Sequence, residues 1–279
     1  MHYFQRMVKI DGCIDLSGAV IAYGDSGTHG VPVVLTHGAG LDHSMFDAQA
    51  SSLVDRGFRV IVWDMRGHGQ SALTDGIRFT ARDALDDLDA LLLRCRVEKA
   101  VLVGHSLGGN LVQAFAREHP DRVRGIVVID STWNAGPLSR VERFALRLAA
   151  PALALVPARQ LPRLMARASA VTSEAIARTE ALFARMPKSR FLDVWRATVS
   201  FVDPDPQNRT AVPLALIRGA DDHTGNIATA MPRWAAFESI AEHVIPGAGH
   251  VVTWDAPEQT THALREILES WTHANEKRS

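Results

Sequence analysis

Gly104-His105-Ser106-Leu107-Gly108 sets a serine between two glycines at G-x-S-x-G spacing. That spacing suits a strained strand-to-helix turn that lifts a hydroxyl above a sheet, with the positive end of the following helix turned toward a developing oxyanion. A serine hydroxyl is a poor nucleophile near neutral pH, so this chemistry requires a base and a carboxylate that orients the base. Of the twelve histidines, His250 stands in Gly247-Ala248-Gly249-His250 just after the last short apolar run. Small residues there let a loop bring an imidazole back over the sheet edge, which makes His250 the expected base. A turn of this kind goes with the chain order serine, acid, histidine. Asp221 and Asp222 directly follow the apolar run Leu214 to Ile217, and strand C-termini of open parallel sheets collect catalytic groups. Asp222 is the expected acid, with Asp221 beside it and Asp130, at the end of the preceding strand, as alternatives.

His37-Gly38-Ala39-Gly40 follows the run Val31 to Thr36. Its glycines allow backbone N–H groups to approach a substrate oxygen, so the N–H groups of Ala39 and Leu107 are the expected oxyanion hole. Gly38, Leu41, His105, Trp133 and Trp254 are the expected substrate-contacting residues. Together with Met45 and a Leu/Ala-rich segment they predict a largely apolar pocket, although both tryptophans read equally well as packing between two parts of the fold. Asp64-Met65-Arg66-Gly67-His68-Gly69-Gln70-Ser71 is expected to be structural, with Asp64 and Arg66 pairing to hold a sharp loop.

The elements that must position these groups follow from the apolar pattern. Residues Val8 to Tyr23 alternate around two turns and predict short antiparallel strands. Compact apolar runs at Val31–Thr36, Val60–Trp63, Ala100–Val103, Gly125–Ile129, Leu214–Ile217 and His243–Ile245 suit strands buried on both faces. Segments of helical period lie between them, and the strand–helix repetition predicts an α/β fold with a mostly parallel sheet and right-handed crossovers. The long interruption lacks strand patterning and is cut by prolines at 137, 151, 157, 162 and 187 into short helices. The chain thus divides into a core of residues 1–133 and 209–279 and a helical cap inserted at 134–208. Eleven basic against six acidic residues make this insertion basic; its arginines read either as solvated helix faces or as an attractor of anionic substrates.

Thirty basic and thirty-one acidic residues in a chain of 279 give a net charge of -1, which lacks the footprint of a nucleic-acid binder. The 47% hydrophobic content excludes intrinsic disorder. Cys13 and Cys95 form neither a metal-ligand pair nor a redox motif, and residues 1–6 carry no apolar leader. These features predict a cytoplasmic chain with free thiols and no membrane span; a homodimer is left open.

In order and spacing, His37-Gly38, Asp64-x-Arg66-Gly-x-Gly69-x-Ser71, Gly104-His105-Ser106-Leu107-Gly108-Gly109, Gly219-x-x-Asp222 and Gly249-His250 resemble the α/β-hydrolase superfamily across essentially the whole chain. The resemblance is to the single-domain bacterial esterases, lactonases and carbon–carbon bond hydrolases with a helical cap. It implies a serine hydrolase acting on a small ester or lactone, without metal or cofactor. Serine at position 106 departs from the haloalkane dehalogenases and epoxide hydrolases, which place aspartate there. Two other readings stand beside it: cleavage of a carbon–carbon bond in a diketone-type substrate by the same three residues, and a small-molecule receptor without turnover.

Overall fold

The computed structural model describes residues 7–276. Residues 1–6, read above as free of an apolar leader, lie outside the described residues. The strands are β1 (Gly12–Leu16), β2 (Ala19–Asp25), β3 (Pro32–Thr36), β4 (Arg59–Trp63), β5 (Ala72–Leu73), β6 (Ala100–His105), β7 (Val123–Ile129), β8 (Leu214–Gly219) and β9 (Glu242–Ile245). The helices are α1 (Asp47–Asp55), α2 (Ala81–Arg94), α3 (Leu107–Glu118), α4 (Arg140–Leu155), α5 (Leu161–Ser169), α6 (Ser173–Phe183), α7 (Lys188–Ser200), α8 (Ile227–Glu238), α9 (Val252–Asp255) and α10 (Pro257–Glu276). One sheet runs in the order β1-β2-β4-β3-β6-β7-β8-β9, with β5 on the side of β2. From β4 to β9 all neighbours are parallel, whereas β1, β2 and β5 pair antiparallel.

Successive side chains of a strand point to opposite faces, and here both faces are apolar. Val34, Leu102, Val128 and Leu216 pack with α2, α3 and α8 on one side. Leu35, Val103, Val127 and Ile217 pack with α1 and α10 on the other. That double burial explains why the central strands read as unbroken apolar runs. The parallel order also brings the C-terminal ends of β3, β6, β7 and β8 to one edge, where the loops bearing Ala39, Ser106, Asp130 and Asp222 emerge.

Helices α4 to α7 occupy the interval between β7 and β8. Pro162 falls in the first turn of α5 and Pro187 caps α7, where a missing N–H costs no hydrogen bond. Pro151 does not cut the chain as expected: it lies inside α4. It sits in the last turns of that helix and is exposed, so the helix forfeits one backbone bond while its inner face stays packed.

The expected Asp64–Arg66 pair does not form. The Asp64 carboxylate accepts the His43 backbone N–H, a contact from His43 Nδ1 and the Gln70 N–H, each at 2.8 Å, because the loop curls around it. Arg66 instead reaches α2 and makes a two-point contact with the buried Asp87 at 2.7 and 2.6 Å. The loop is structural as predicted, but with different partners.

Candidate active site

The turn between β6 and α3 carries Ser106 at φ 52 and ψ −116, a conformation that L-residues adopt only when their surroundings hold them there. Its N–H donates to Ile129 O at 2.9 Å, while Ser131 Oγ and the Asn110 N–H both donate to its carbonyl. The turn is tight because β6 and α3 nearly touch. A Cβ on Gly104 would lie 2.2 Å from Gly108 O, and one on Gly108 would lie 2.3 Å from Thr36 O.

Ser106 Oγ is 3.0 Å from His250 Nε2, and His250 Nδ1 is 2.9 Å from Asp222 Oδ2. Asp222 is fully buried, and its other oxygen accepts the Thr224 N–H at 2.7 Å. Burial alone would raise its pKa; the neighbouring His250 charge and hydrogen bond, with the Thr224 N–H, overcome that and bring it to about 2. Asp221 is exposed and Asp130 makes no contact with His250. This geometry sets an ionised carboxylate against the Nδ1 side of the imidazole and leaves Nε2 facing Ser106.

Ala39 and Leu107 present backbone N–H groups at the two turns flanking Ser106, and neither finds a backbone or side-chain acceptor among the described residues. The Leu107 N–H opens α3, where helices leave their first donors free. His37 fixes the other loop: its Nδ1–H donates to Gly38 O at 2.8 Å, and its Nε2 accepts the Met65 N–H at 2.9 Å. His105 Nε2–H donates to the His250 carbonyl at 2.7 Å, and burial followed by the nearby His250 pushes its pKa to about 3, so this ring is neutral. Gly38 packs on it, where a Cβ would come within 2.5 Å of His105 Nδ1.

A cavity of about 300 Å³ opens over Ser106 and His250. Leu41, His105 and Ala39 are among the residues that line it, joined by Met165, Phe183, Phe191 and Trp195, with Glu142, Ala145, Leu146 and Ala149 of α4 as its roof. The other residues expected at the pocket, Gly38, Met45, Trp133 and Trp254, do not line it. Trp133 lines a separate cavity between α2, α3 and residues 200–211, because its ring stacks on Trp234 of α8 at 6.0 Å. Trp254 lies outside the pocket with the Arg178 guanidinium 5.8 Å above its ring. Met45 belongs to the core and not to the pocket wall. No arginine or lysine among the described residues lines the cavity.

The profile of the family described as alpha/beta hydrolase fold matches residues 31–257. This chain belongs to that family. The hydrolase superposes on the thermophilic esterase from Thermogutta terrifontis with a TM-score of 0.74 at 30% identity, covering 91% of this chain and 94% of that one. It is also similar to a 2-hydroxy-6-oxononadienedioate/2-hydroxy-6-oxononatrienedioate hydrolase of Paraburkholderia xenovorans, 28% identical over 95% of this chain and 94% of that protein. Other curated relatives match over less than half of their length: the AB hydrolase superfamily protein YisY of Bacillus subtilis is 37% identical over 33% of this chain and 34% of that protein.

Sequence reasoning passed over one residue of the hydrolase that organises this site. Asp255 accepts the Gly249 N–H at 2.9 Å, the Val171 N–H at 3.0 Å and the Thr172 N–H at 2.8 Å, tying the loop of His250 to the junction of α5 and α6. The Val251 N–H adds a bond to Ser169 O at 2.9 Å. Nothing in the local pattern of Trp254-Asp255 distinguishes this carboxylate from a helix cap. Among the described residues no cluster of side chains could hold a metal, and no helix is long and apolar enough to cross a membrane.

Proposed function

We propose that this hydrolase cleaves carboxylic esters or lactones through an acyl-enzyme on Ser106, with residues 134–208 as a cap over a core of 1–133 and 209–279. Ser106 Oγ attacks the carbonyl carbon and passes its proton to His250 Nε2, while Asp222 stabilises the imidazolium. The carbonyl oxygen, now an anion, is received by the Ala39 and Leu107 N–H groups. His250 returns the proton to the departing alkoxide; water deprotonated by the same imidazole then attacks the ester and releases the acid. The observation that carries this reading is the continuous contact from Ser106 Oγ through His250 to a buried Asp222, opening on an apolar cavity.

The full-length similarity to a dioate hydrolase favours a second reading, carbon–carbon bond cleavage by the same residues. The pocket argues against a doubly anionic substrate: among the described residues its lining contains Glu142 and no cation, and a buried carboxylate without a partner is strongly disfavoured. A cytoplasmic location accords with unpaired Cys13 and Cys95.

Intact mass after treatment with a fluorophosphonate tests the nucleophile, since Ser106 Oγ would displace fluoride. One adduct per chain, lost in Ser106→Ala, is the expected result, accompanied by turnover of p-nitrophenyl butyrate. Labelling that persists in Ser106→Ala, or an unlabelled folded protein, would refute the assignment.

A further inference from the structure

Helix α4 has two apolar faces. Glu142, Ala145, Leu146 and Ala149 look into the cavity over Ser106. On the adjoining, outward face, Val141, Phe144, Leu148 and Leu155 are 77%, 64%, 46% and 86% exposed. At roughly 100° per residue these four fall within a single narrow stripe, about 20 Å long. Isolated exposed apolar residues need no explanation, whereas an aligned stripe of this kind marks an interaction surface.

The charges around the stripe specify what covers it. Arg140 and Arg143 are exposed at its N-terminal end. At its C-terminal end Lys188 Nζ donates to Ala154 O and Val156 O, with the exposed Arg159 beyond. The one acid of the helix, Glu142, is turned away, bonded to the Ser139 N–H and to Asn226 Nδ2. A second copy of the chain would set cations against cations in either direction of helix pairing. A surface of anionic headgroups neutralises both ends and takes up the apolar stripe between them, as in-plane amphipathic helices do.

We propose that α4 docks the hydrolase on anionic lipid surfaces, with the roof of its pocket as the docking element. The test is co-sedimentation with vesicles of phosphatidylcholine alone and of phosphatidylcholine with about one part in three phosphatidylglycerol. Binding is expected to the anionic vesicles only, to fall to background in Phe144→Asp/Leu155→Asp, and to weaken about 5-fold per arginine in Arg140→Gln and Arg143→Gln. Hydrolysis of p-nitrophenyl butyrate in buffer is expected to be unchanged in all of these variants, which also reports that they fold. Absence of binding by the unmodified chain, or equal binding by Phe144→Asp/Leu155→Asp, would overturn the proposal. So would a dimer in sedimentation velocity that the same double substitution abolishes, which would assign the stripe to a second copy. The binding readout requires no turnover, so its failure leaves the ester-hydrolysis reading untouched.

Discussion

Asp130 and Asp222 emerge from the ends of neighbouring strands, yet their surroundings drive them in opposite directions. Asp222 is held ionised by His250 and Thr224. Asp130 is pushed well above the usual carboxylate range by complete burial and then by the charge of Asp222. The Gly219 N–H donates to its Oδ1 at 2.8 Å, and interaction with the Asp222 side chain favours the protonated form further. A carboxyl that stays protonated in the folded state, but ionises near pH 4 when unfolded, makes the fold lose stability as pH rises from that point toward the raised pKa. Asp130→Asn removes this loss, and asparagine tolerates the φ of 42 at this position. The melting temperature of Asp130→Asn is therefore expected to exceed that of the parent by a margin that grows between pH 4 and pH 8. A constant or shrinking margin across a thermal-melt series would show that Asp130 is ionised in the fold.

At the scale of elements, the loop between β9 and α9 depends on distant partners. Removing the Asp255 carboxylate leaves three backbone N–H groups without their acceptor, at about 1–3 kcal/mol for a group that stays buried. Asp255→Ala is expected to lower the melting temperature by several degrees and kcat by about 10-fold, with little change in KM, because His250 is no longer held at hydrogen-bond distance from Ser106. Unchanged kcat would mean that the bond from His105 to the His250 carbonyl suffices to hold the loop. This dependence also marks how far the sequence could be read. Ser106 and Asp222 are legible as candidates because each follows an apolar run typical of a doubly buried strand, and His250 because it closes a Gly-Ala-Gly loop after the half-exposed edge strand β9. Glycine spacing made the turns legible as well. Asp255, Trp133 and Arg66 were not, because their partners are far away in the chain: Thr172 for Asp255, Trp234 for Trp133 and Asp87 for Arg66. Local pattern reports burial and backbone conformation, whereas the direction of a long side chain is decided by what packs against it.

For the molecule as a whole, basic composition and substrate charge are decoupled. The insertion is basic in composition yet presents Glu142 to the pocket; hydrogen bonds from the Ser139 side chain and backbone hold that carboxyl below its ordinary range. A p-nitrophenyl monoester with a free terminal carboxylate is expected to show kcat/KM at least about 10-fold below that of the butyrate, since a like charge and an unpaired buried anion both oppose it. Glu142→Gln and raised salt should each narrow that gap. Equal rates for the two esters would place a cation within reach of the bound substrate.

Strands β7 and β8 are immediate neighbours, with Ile126 opposite Leu214, so the four helices between them leave the sheet and return to it at one seam. The entropic cost of a connection grows only slowly with its length, and nothing in the register of the sheet depends on what the connection contains. A gene encoding this chain could therefore exchange much of the stretch for another in a single recombination event and keep the sheet, provided that the newcomer again offers the backbone groups that Ser169, Val171 and Thr172 now present to the loop of His250. The sheet would then be inherited apart from most of the wall over it, and the few bonds across the seam are what a new segment would have to reproduce.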